Sequence, residues 1–288
     1  YIILKYNNYQ KYRLVILVKR KADLQNLAQE MCMEKITSKN NTLIKDTKKL
    51  FTSSKARAEA RRFVLEGARL CFDVLNSVYE GESVLCTEEI MSKYPDKVNA
   101  LVNACDNAYL ITDEIAQRLT DTKSPQGIFL VVKMKSISNA VGDKIIALDN
   151  VQDPSNVGAV IRSAEALGID SVIVGGGCDI YNPKAIRATM GSLLRMNIVK
   201  TDNLLEYINR LETDGYNAYA TVPDANACRI TDVDFSQKTV CVIGNEANGV
   251  SQEVKAVCNS LITIPMLGRA ESLNAGVAAS ITMWEMLR

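Results

Sequence analysis

The 288-residue sequence contains no histidine. Histidine is the usual general base near neutral pH and a common zinc ligand, so its absence excludes Ser-His and Cys-His nucleophile arrangements. Catalysis by this chain must therefore use carboxylates, amides, hydroxyls, lysine, arginine and backbone groups. A reaction whose reagent is already activated suits such a set best.

Clustered cysteines and long apolar runs are also missing. The eight cysteines lie at least 13 positions apart, which indicates neither a zinc site nor a disulfide framework. A reducing, cytoplasmic setting fits them best, and we expect no bound metal. The best apolar run, 14–18, ends at three basic residues and is far shorter than the roughly 18 residues of a membrane helix, so we expect no membrane span.

Charge is distributed unevenly along the chain. The net charge is +1, yet residues 1–72 carry 16 Lys and Arg against 6 Asp and Glu. A basic amino-terminal part is typical of a module that meets a polyanion, although a solvated basic helix gives the same pattern. We expect residues 1–30 to take no part in the function; a basic targeting segment is the alternative, without the cleavage pattern of a signal peptide.

The pattern of apolar runs predicts two α/β domains. Residues 31–135 alternate short strands with helices, and the polar stretch 136–143 is typical of a linker. In 144–288, short apolar runs are separated by helical stretches, which predicts a mostly parallel sheet with helices on both faces. The predicted strands of this second domain are 144–148, 171–174, 218–222, 239–243 and 261–265.

Three loops follow predicted strands of the parallel sheet, and such loops bind ligands in open α/β sheets. The first loop, 149–156, opens into a helix on which Arg162 lies opposite the apolar stripe. Arg162 is therefore a candidate functional residue, with an ordinary surface arginine as the alternative. Asn156 is a second candidate, and it could instead be the cap of the helix.

The second loop, 244–249, contains Glu246 between two glycines. Gly244 and Gly249 would let the backbone approach a flat ligand such as an adenine, although a turn with a solvated glutamate is the alternative. The third loop, 265–274, precedes a terminal helix predicted from about Ser272 to Leu287, and Ser272 could be its cap.

A further glycine-rich stretch, 175–177, also follows a predicted strand. It lacks the spacing of a dinucleotide-binding fingerprint, so the sequence favours a flexible turn there.

Taken in order, the three loops resemble the three motifs of the SpoU (TrmH-like) methyltransferases, a branch of the SPOUT superfamily. Residues 182–191 and 63–67 also resemble segments of that family, so the likeness covers about 35–288. One departure is Ala275-Gly276, where the family often has Val-Ser or Ala-Ala. The motif residues in this chain are Asn156 and Arg162; Gly244, Glu246 and Gly249; and Ile264, Pro265, Met266, Gly268, Ser272, Leu273 and Asn274.

The resemblance implies a parallel-sheet methyltransferase domain with a deep trefoil knot and a smaller RNA-binding domain before it. It implies S-adenosylmethionine as the cofactor, bound by backbone groups of the knot, with Thr221 nearby. It also implies a homodimer through the knotted domain, with an active site that draws on both subunits. The cofactor-binding residues expected from the family are Thr221, Gly244, Gly249, Ile264, Met266, Gly268 and Leu273.

For catalysis, the resemblance implies that Arg162 acts on a ribose 2′-hydroxyl of RNA. A free guanidinium holds its proton too tightly to act as a base, so we expect stabilisation of the developing alkoxide together with an RNA phosphate, and not literal base action. Lys184 and Arg187 are candidate phosphate contacts. The residues expected to position Arg162 and the nucleotide are Asn156, Glu246, Ser272 and Asn274.

Large-subunit ribosomal RNA is the expected substrate, because an added amino-terminal domain of this type usually accompanies ribosomal substrates in the family. Transfer RNA is the near alternative. A non-catalytic RNA-binding assembly factor and a nucleotide-dependent oxidoreductase are the other classes considered, and the missing glycine fingerprint disfavours the oxidoreductase.

Overall fold

The computed structural model describes residues 33–120, 122, 124–135 and 141–288. The expectations for residues 1–30, and for most of the linker 136–143, lie outside them. The chain divides into two compact units. Described residues of the first unit fall within 33–53, Arg61–Asn76 and Glu80–Lys133, and those of the second within Ser54–Ala60, Ser77–Tyr79 and Met134–Arg288.

The first unit is built on a mixed five-stranded sheet. Its order is β1-β4-β3-β5-β2, in which β1, β4 and β3 run parallel and β5 is antiparallel to both β3 and β2. The strands are β1 (Glu34–Ile36), β2 (Arg62–Glu66), β3 (Gly81–Cys86), β4 (Asn107–Ile111) and β5 (Ile128–Lys133).

Short helices connect these strands. The helices of this stretch are α1 (Thr42–Thr52), α2 (Ser54–Ala60), α3 (Ala68–Asp73), α4 (Glu88–Lys93), α5 (Pro95–Ala104) and α6 (Asp113–Leu119), of which α2 is grouped with the second unit. Helix α1 begins where the Asn41 side chain accepts a hydrogen bond from Leu43 N at 2.8 Å. Helix α3 is short, because a 3₁₀ turn over Val74–Asn76 follows it.

The second unit contains a seven-stranded sheet in which every pairing is parallel. The predicted α/β class with a parallel sheet is confirmed. The strand order is β10-β12-β9-β11-β6-β7-β8. The strands are β6 (Lys144–Asp149), β7 (Ser171–Gly175), β8 (Asn197–Thr201), β9 (Asn217–Thr221), β10 (Cys228–Arg229), β11 (Thr239–Gly244) and β12 (Ser260–Thr263).

Helices cover both faces of this parallel sheet. On one face, Leu204 and Ile208 of α9 and Val254 of α10 join the buried core formed by the central strands. On the other face, α11 packs against α7, β6 and β11. Each buried aliphatic side chain contributes about 1.5–3 kcal/mol to stability. The helices are α7 (Pro154–Leu167), α8 (Pro183–Thr189), α9 (Leu204–Thr213), α10 (Gln252–Val257) and α11 (Ala275–Leu287).

Among the described residues, none of the helices is both long and apolar enough to cross a bilayer.

The structure corrects the predicted starts of two helices. Helix α7 begins at Pro154, because Asp153 Oδ1 accepts a hydrogen bond from Ser155 N at 2.8 Å, so Asn156 is not the cap. Helix α11 begins at Ala275, where the cap is Asn274 and not Ser272. Because Asp153 and Asn274 cap these two helices, the side chains of Asn156 and Ser272 are available for other contacts.

The glycine turn at 175–177 is tightly packed, a feature that the sequence analysis did not predict. Gly177 has a φ of +75°, and a Cβ added there would lie 2.3 Å from Val151 O. Cys178 N donates to Val151 O at 2.9 Å, and Asn150 N donates to Gly175 O at 2.8 Å. Glycine is needed because this turn lies directly against the first loop.

Candidate active site

The candidate site lies at the carboxyl edge of the parallel sheet, where the ends of neighbouring strands meet. Asp149, the last residue of β6, is in register with Gly244, the last residue of β11. The buried Asp149 carboxylate accepts a hydrogen bond from Ser251 N at 2.7 Å. This bond ties the end of β6 to the chain that follows the second loop.

Glu246 of the second loop holds the start of α7. Its carboxylate accepts hydrogen bonds from Gln152 N at 3.0 Å, Asp153 N at 3.0 Å and Asn156 Nδ2 at 2.8 Å. Burial alone would raise the pKa of Glu246, but the hydrogen bonds from Gln152, Asn156 and Asp153 outweigh it and lower the pKa below its ordinary value. Glu246 is therefore an anion at neutral pH, at the positive end of a helix.

Asn156 and Asn274 extend this arrangement to the third loop. Asn156 is only 7% exposed, and its Oδ1 accepts a hydrogen bond from Asn274 Nδ2 at 2.9 Å. Asn274 Oδ1 in turn accepts from Gly276 N at 3.0 Å and from Val277 N at 3.3 Å. One chain of hydrogen bonds thus runs from Glu246 through Asn156 and Asn274 to the start of α11, and we call it the three-loop network.

A cavity of ≈ 390 Å³ opens beside the three-loop network. It lies between the ends of β9 and β11, the second loop and the third loop. Among the residues expected to form the site, those that line it are Thr221, Gly244, Glu246, Gly249, Ile264, Met266, Ser272 and Leu273. Gly268, Asn156, Asn274 and Arg162 are not among the described lining residues.

The Thr221 hydroxyl is a buried, unsatisfied polar group of this cavity. Its Oγ1 is buried and has no hydrogen-bond partner among the residues that the structure describes. Leaving a buried hydroxyl without a partner costs about 1–3 kcal/mol. A ligand with hydroxyl or amine groups would satisfy it.

The two glycines of the second loop let the loop close on itself. Asn245 N donates to Gly249 O at 3.0 Å, and Gly249 N donates to Asn245 O at 2.9 Å. A Cβ on Gly244 would lie 2.0 Å from the carbonyl carbon of Gly249, which itself has a φ of +68°. Backbone groups, unshielded by side chains at these two positions, therefore form this wall of the cavity.

Arg162 lies on the exposed side of α7, six residues after Asn156. Within the described part of the chain, its side chain makes no hydrogen bond or ion pair with the three-loop network. Its neighbour Glu165 is engaged elsewhere, since Arg195 Nε donates to Glu165 Oε1 at 2.9 Å. Arg162 is thus available to a second molecule.

The two predicted phosphate contacts lie on α8, and both are exposed. Lys184 Nζ is 3.2 Å from Asp153 Oδ1. The hydrogen bond from Ser155 N, and then that from Lys184, lower the pKa of Asp153. This lysine therefore reaches the cap of α7 at the rim of the site, and Arg187 lies three residues further along α8.

Asp153 is a residue of this site to which the sequence did not point. It caps α7, donates its backbone N–H to Glu246 and pairs with Lys184. The signal that could have found it is Asp153-Pro154, because an acidic cap followed by proline at the first helical position is typical of a helix start. In the described residues, no group of three or more Cys, Asp or Glu side chains forms a candidate metal site.

Comparison with known families matches both parts of the chain. Residues 143–284 match the model of the SpoU rRNA Methylase family, and residues 41–130 match an MRM3-like substrate binding domain.

Individual relatives cover most of the chain. A 23S rRNA (guanosine(2553)-2′-O)-methyltransferase of Bacillus subtilis (strain 168), RlmP, is 31% identical over 88% of this chain and 99% of its own. The AdoMet-bound rRNA methyltransferase from Sinorhizobium meliloti superposes with a TM-score of 0.79 at 28% identity, over 88% of this chain and 97% of its own.

A second solved structure agrees. The SpoU methyltransferase AviRb from Streptomyces viridochromogenes, in complex with AdoMet, has a TM-score of 0.77 at 25% identity, over 86% of this chain and 97% of its own. The resemblance carried by the three loops is confirmed, and the chain belongs to the SpoU rRNA methylase family.

Proposed function

We propose that this protein transfers the methyl group of S-adenosylmethionine to a ribose 2′-hydroxyl of large-subunit ribosomal RNA. The observation that carries the proposal is the three-loop network beside the cavity. The names of RlmP, a 23S rRNA 2′-O-methyltransferase, and of AdoMet-bound rRNA methyltransferases favour ribosomal RNA over transfer RNA. A non-catalytic factor is disfavoured because all three motif loops are intact in this chain.

The cavity fits S-adenosylmethionine. The exposed backbone of the second loop suits a flat, uncharged adenine, and the unsatisfied Thr221 hydroxyl suits the polar groups of the nucleoside. Backbone groups of Gly244, Ile264 and Leu273 would hold the adenine and ribose, with Met266 as a further wall. When bound, this cofactor supplies a methyl group already activated by its positively charged sulfur.

Arg162 would act on the RNA. Its guanidinium would stabilise negative charge on the 2′-oxygen as the proton leaves, together with a phosphate of the RNA. The network of Glu246, Asn156 and Asn274 would orient the nucleotide, with Ser272 at the cavity wall. The protein then needs mainly to align the hydroxyl, which makes histidine unnecessary.

The proposal includes the trefoil knot of the family. Its support is the path of the chain after β12, a strand near the edge of the sheet. The third loop leaves this strand, and α11 then packs against α7 and against β11 and β6, which lie beyond β9 in the strand order. The cofactor cavity would lie where the third loop meets the second.

A homodimer through this unit is also proposed. Helix α11 carries apolar side chains that are exposed, at Val277 (48%), Trp284 (60%) and Leu287 (41%). Their spacing places them along one side of the helix, and such a patch is typical of an interface. Because Arg162 does not line the cavity of its own chain, we infer that the partner subunit's Arg162 completes the site.

The amino-terminal domain, proposed as 31–135, would dock the RNA, and 144–288 would carry the chemistry. The match of 41–130 to an MRM3-like substrate binding domain supports this division. Exposed Lys184 and Arg187 would contact phosphates, which set the register on the RNA without reading its sequence. The seven described cysteines are free thiols, which supports a cytoplasmic setting.

The test is transfer of labelled methyl from S-adenosylmethionine to unmodified ribosomal RNA and transfer RNA. We expect the label in ribosomal RNA, on a ribose. The labelled position is found by alkaline hydrolysis, because the phosphodiester bond next to a methylated 2′-oxygen resists cleavage. Label on a base, or label only in transfer RNA, would contradict the proposal. Arg162→Ala serves as the inactive control.

A further inference from the structure

The cavity is lined by three ionisable side chains among the described residues, Glu246, Glu271 and Lys255. They provide two carboxylates and one ammonium. S-adenosylmethionine carries the opposite set, because its sulfur and amino group are positive and its carboxylate is negative. The lining and the proposed cofactor are therefore complementary in charge.

Lys255 lies on α10 and is half-buried. Its backbone is held in place, since Lys255 N donates to Ser251 O at 3.0 Å and Cys258 N donates to Lys255 O at 3.3 Å. Its ammonium, by contrast, makes no hydrogen bond or ion pair within the described part of the chain. An ammonium partly withdrawn from water and without a partner is stabilised by a nearby anion.

The other two charges of the lining do not provide that anion. The carboxylate of Glu246 already accepts hydrogen bonds from the start of α7. Glu271, in the third loop, is exposed and forms no ion pair with Lys255. A ligand in the cavity is therefore the remaining source of a negative group for Lys255.

We propose that Lys255 binds the carboxylate of the methionine part of S-adenosylmethionine and selects a cofactor that carries it. This inference rests on the proposed function. A phosphate of the RNA is the competing anion, but the cations proposed for RNA, Arg162, Lys184 and Arg187, all lie outside the cavity lining. Lys255 shares the cavity with Thr221 and Gly244, which belong to the cofactor side of the site.

The test is calorimetric binding without RNA, using S-adenosylmethionine and its decarboxylated form. We expect the wild-type protein to bind S-adenosylmethionine about tenfold or more tightly than the decarboxylated form, as for a charge-assisted hydrogen bond. Lys255→Met should lose this preference by weakening only the binding of S-adenosylmethionine. Lys255→Arg should keep most of it.

Lys200→Met is the matched control, because Lys200 is an exposed lysine on β8, at the opposite edge of the sheet. It should bind both ligands as the wild type does. Equal weakening of both ligands by Lys255→Met would indicate a structural role and overturn the inference. An unchanged affinity of Lys255→Met for S-adenosylmethionine would also overturn the inference, whether or not the KM for RNA rises. Failure of the wild type to bind either ligand would instead refute the proposed function.

Discussion

Asn274 Nδ2 donates a hydrogen bond of 2.9 Å to Asn156 Oδ1 across 118 positions of sequence. The same two amides have further partners, since Asn156 Nδ2 donates to Glu246 and Asn274 Oδ1 caps α11. Each amide thus uses both its donor and its acceptor.

Asn274→Ala and Asn274→Asp separate two roles of Asn274. One is the cap of α11, and the other is the hydrogen-bond link to Asn156. Alanine removes both, so we expect the free energy of unfolding to fall by about 1 kcal/mol and methyl transfer to fall as well. Aspartate keeps an acceptor for Gly276 N but cannot donate to Asn156, so stability should stay near that of the wild type while methyl transfer falls. Urea denaturation and methyl transfer measure the two effects. Full activity of Asn274→Asp would show that the link is dispensable.

Arg162→Ala should strongly reduce methyl transfer without affecting the fold. Its side chain is exposed and outside the three-loop network, so we expect unchanged melting temperature and unchanged affinity for S-adenosylmethionine. The rate of methyl transfer should fall by about 10²–10³-fold, as when one charge-stabilising donor is removed from an active site. Arg229→Ala, an exposed arginine on β10, is the control that should keep normal transfer. Normal transfer by Arg162→Ala would exclude the proposed role.

Gly244→Ala and Gly268→Ala should differ sharply in stability. A Cβ on Gly244 meets backbone at 2.0 Å, so the second loop must open and the protein should lose about 1–3 kcal/mol together with cofactor affinity. A Cβ on Gly268 has no neighbour within 4 Å, so its stability should be unchanged. Thermal denaturation compares the two variants. Equal melting temperatures would mean that the closed form of the second loop is not required.

Glu246→Gln tests the lowered pKa of Glu246. Because hydrogen bonds favour its ionised form in the folded state, Glu246 stabilises the protein above its ordinary pKa of 4.5, and this contribution is lost as the pH falls through the lower folded-state pKa. The wild type should therefore be more stable than Glu246→Gln at neutral pH, and the difference should shrink at acid pH. Urea denaturation at a series of pH values measures it. A difference independent of pH would rule out ionisation as the cause.

Trp284→Glu on α11 should dissociate the proposed dimer. A charge in the centre of an apolar interface is poorly tolerated, and methyl transfer should fall with the loss of the partner subunit's Arg162. Light scattering gives the mass, and Val78→Glu, an equally exposed apolar position outside α11, is the control that should remain dimeric. A wild-type protein that is monomeric while fully active would contradict this part of the proposal.

The sequence was sufficient to predict features that have a local signal, and features that depend on motifs in a specific order. Buried apolar runs predicted the strands β6, β7, β9, β11 and β12 to within a few residues, because strands covered on both faces read as continuous apolar segments. The ordered motifs of the three loops were enough to identify the family. The strands β1, β8 and β10 were missed because short or partly exposed edge strands carry little apolar signal.

Only the tertiary structure decided which side chains work together. Asn, Asp and Ser all cap helices, so the sequence could not tell that Asp153 and Asn274 are the caps while Asn156 lies in a network with Glu246. Nor could it place Lys255 in the cavity, because no local pattern connects α10 with the third loop. The sequence alone determined the family and the strand pattern; the packing of a parallel sheet, which brings distant loops to one edge, determined the site.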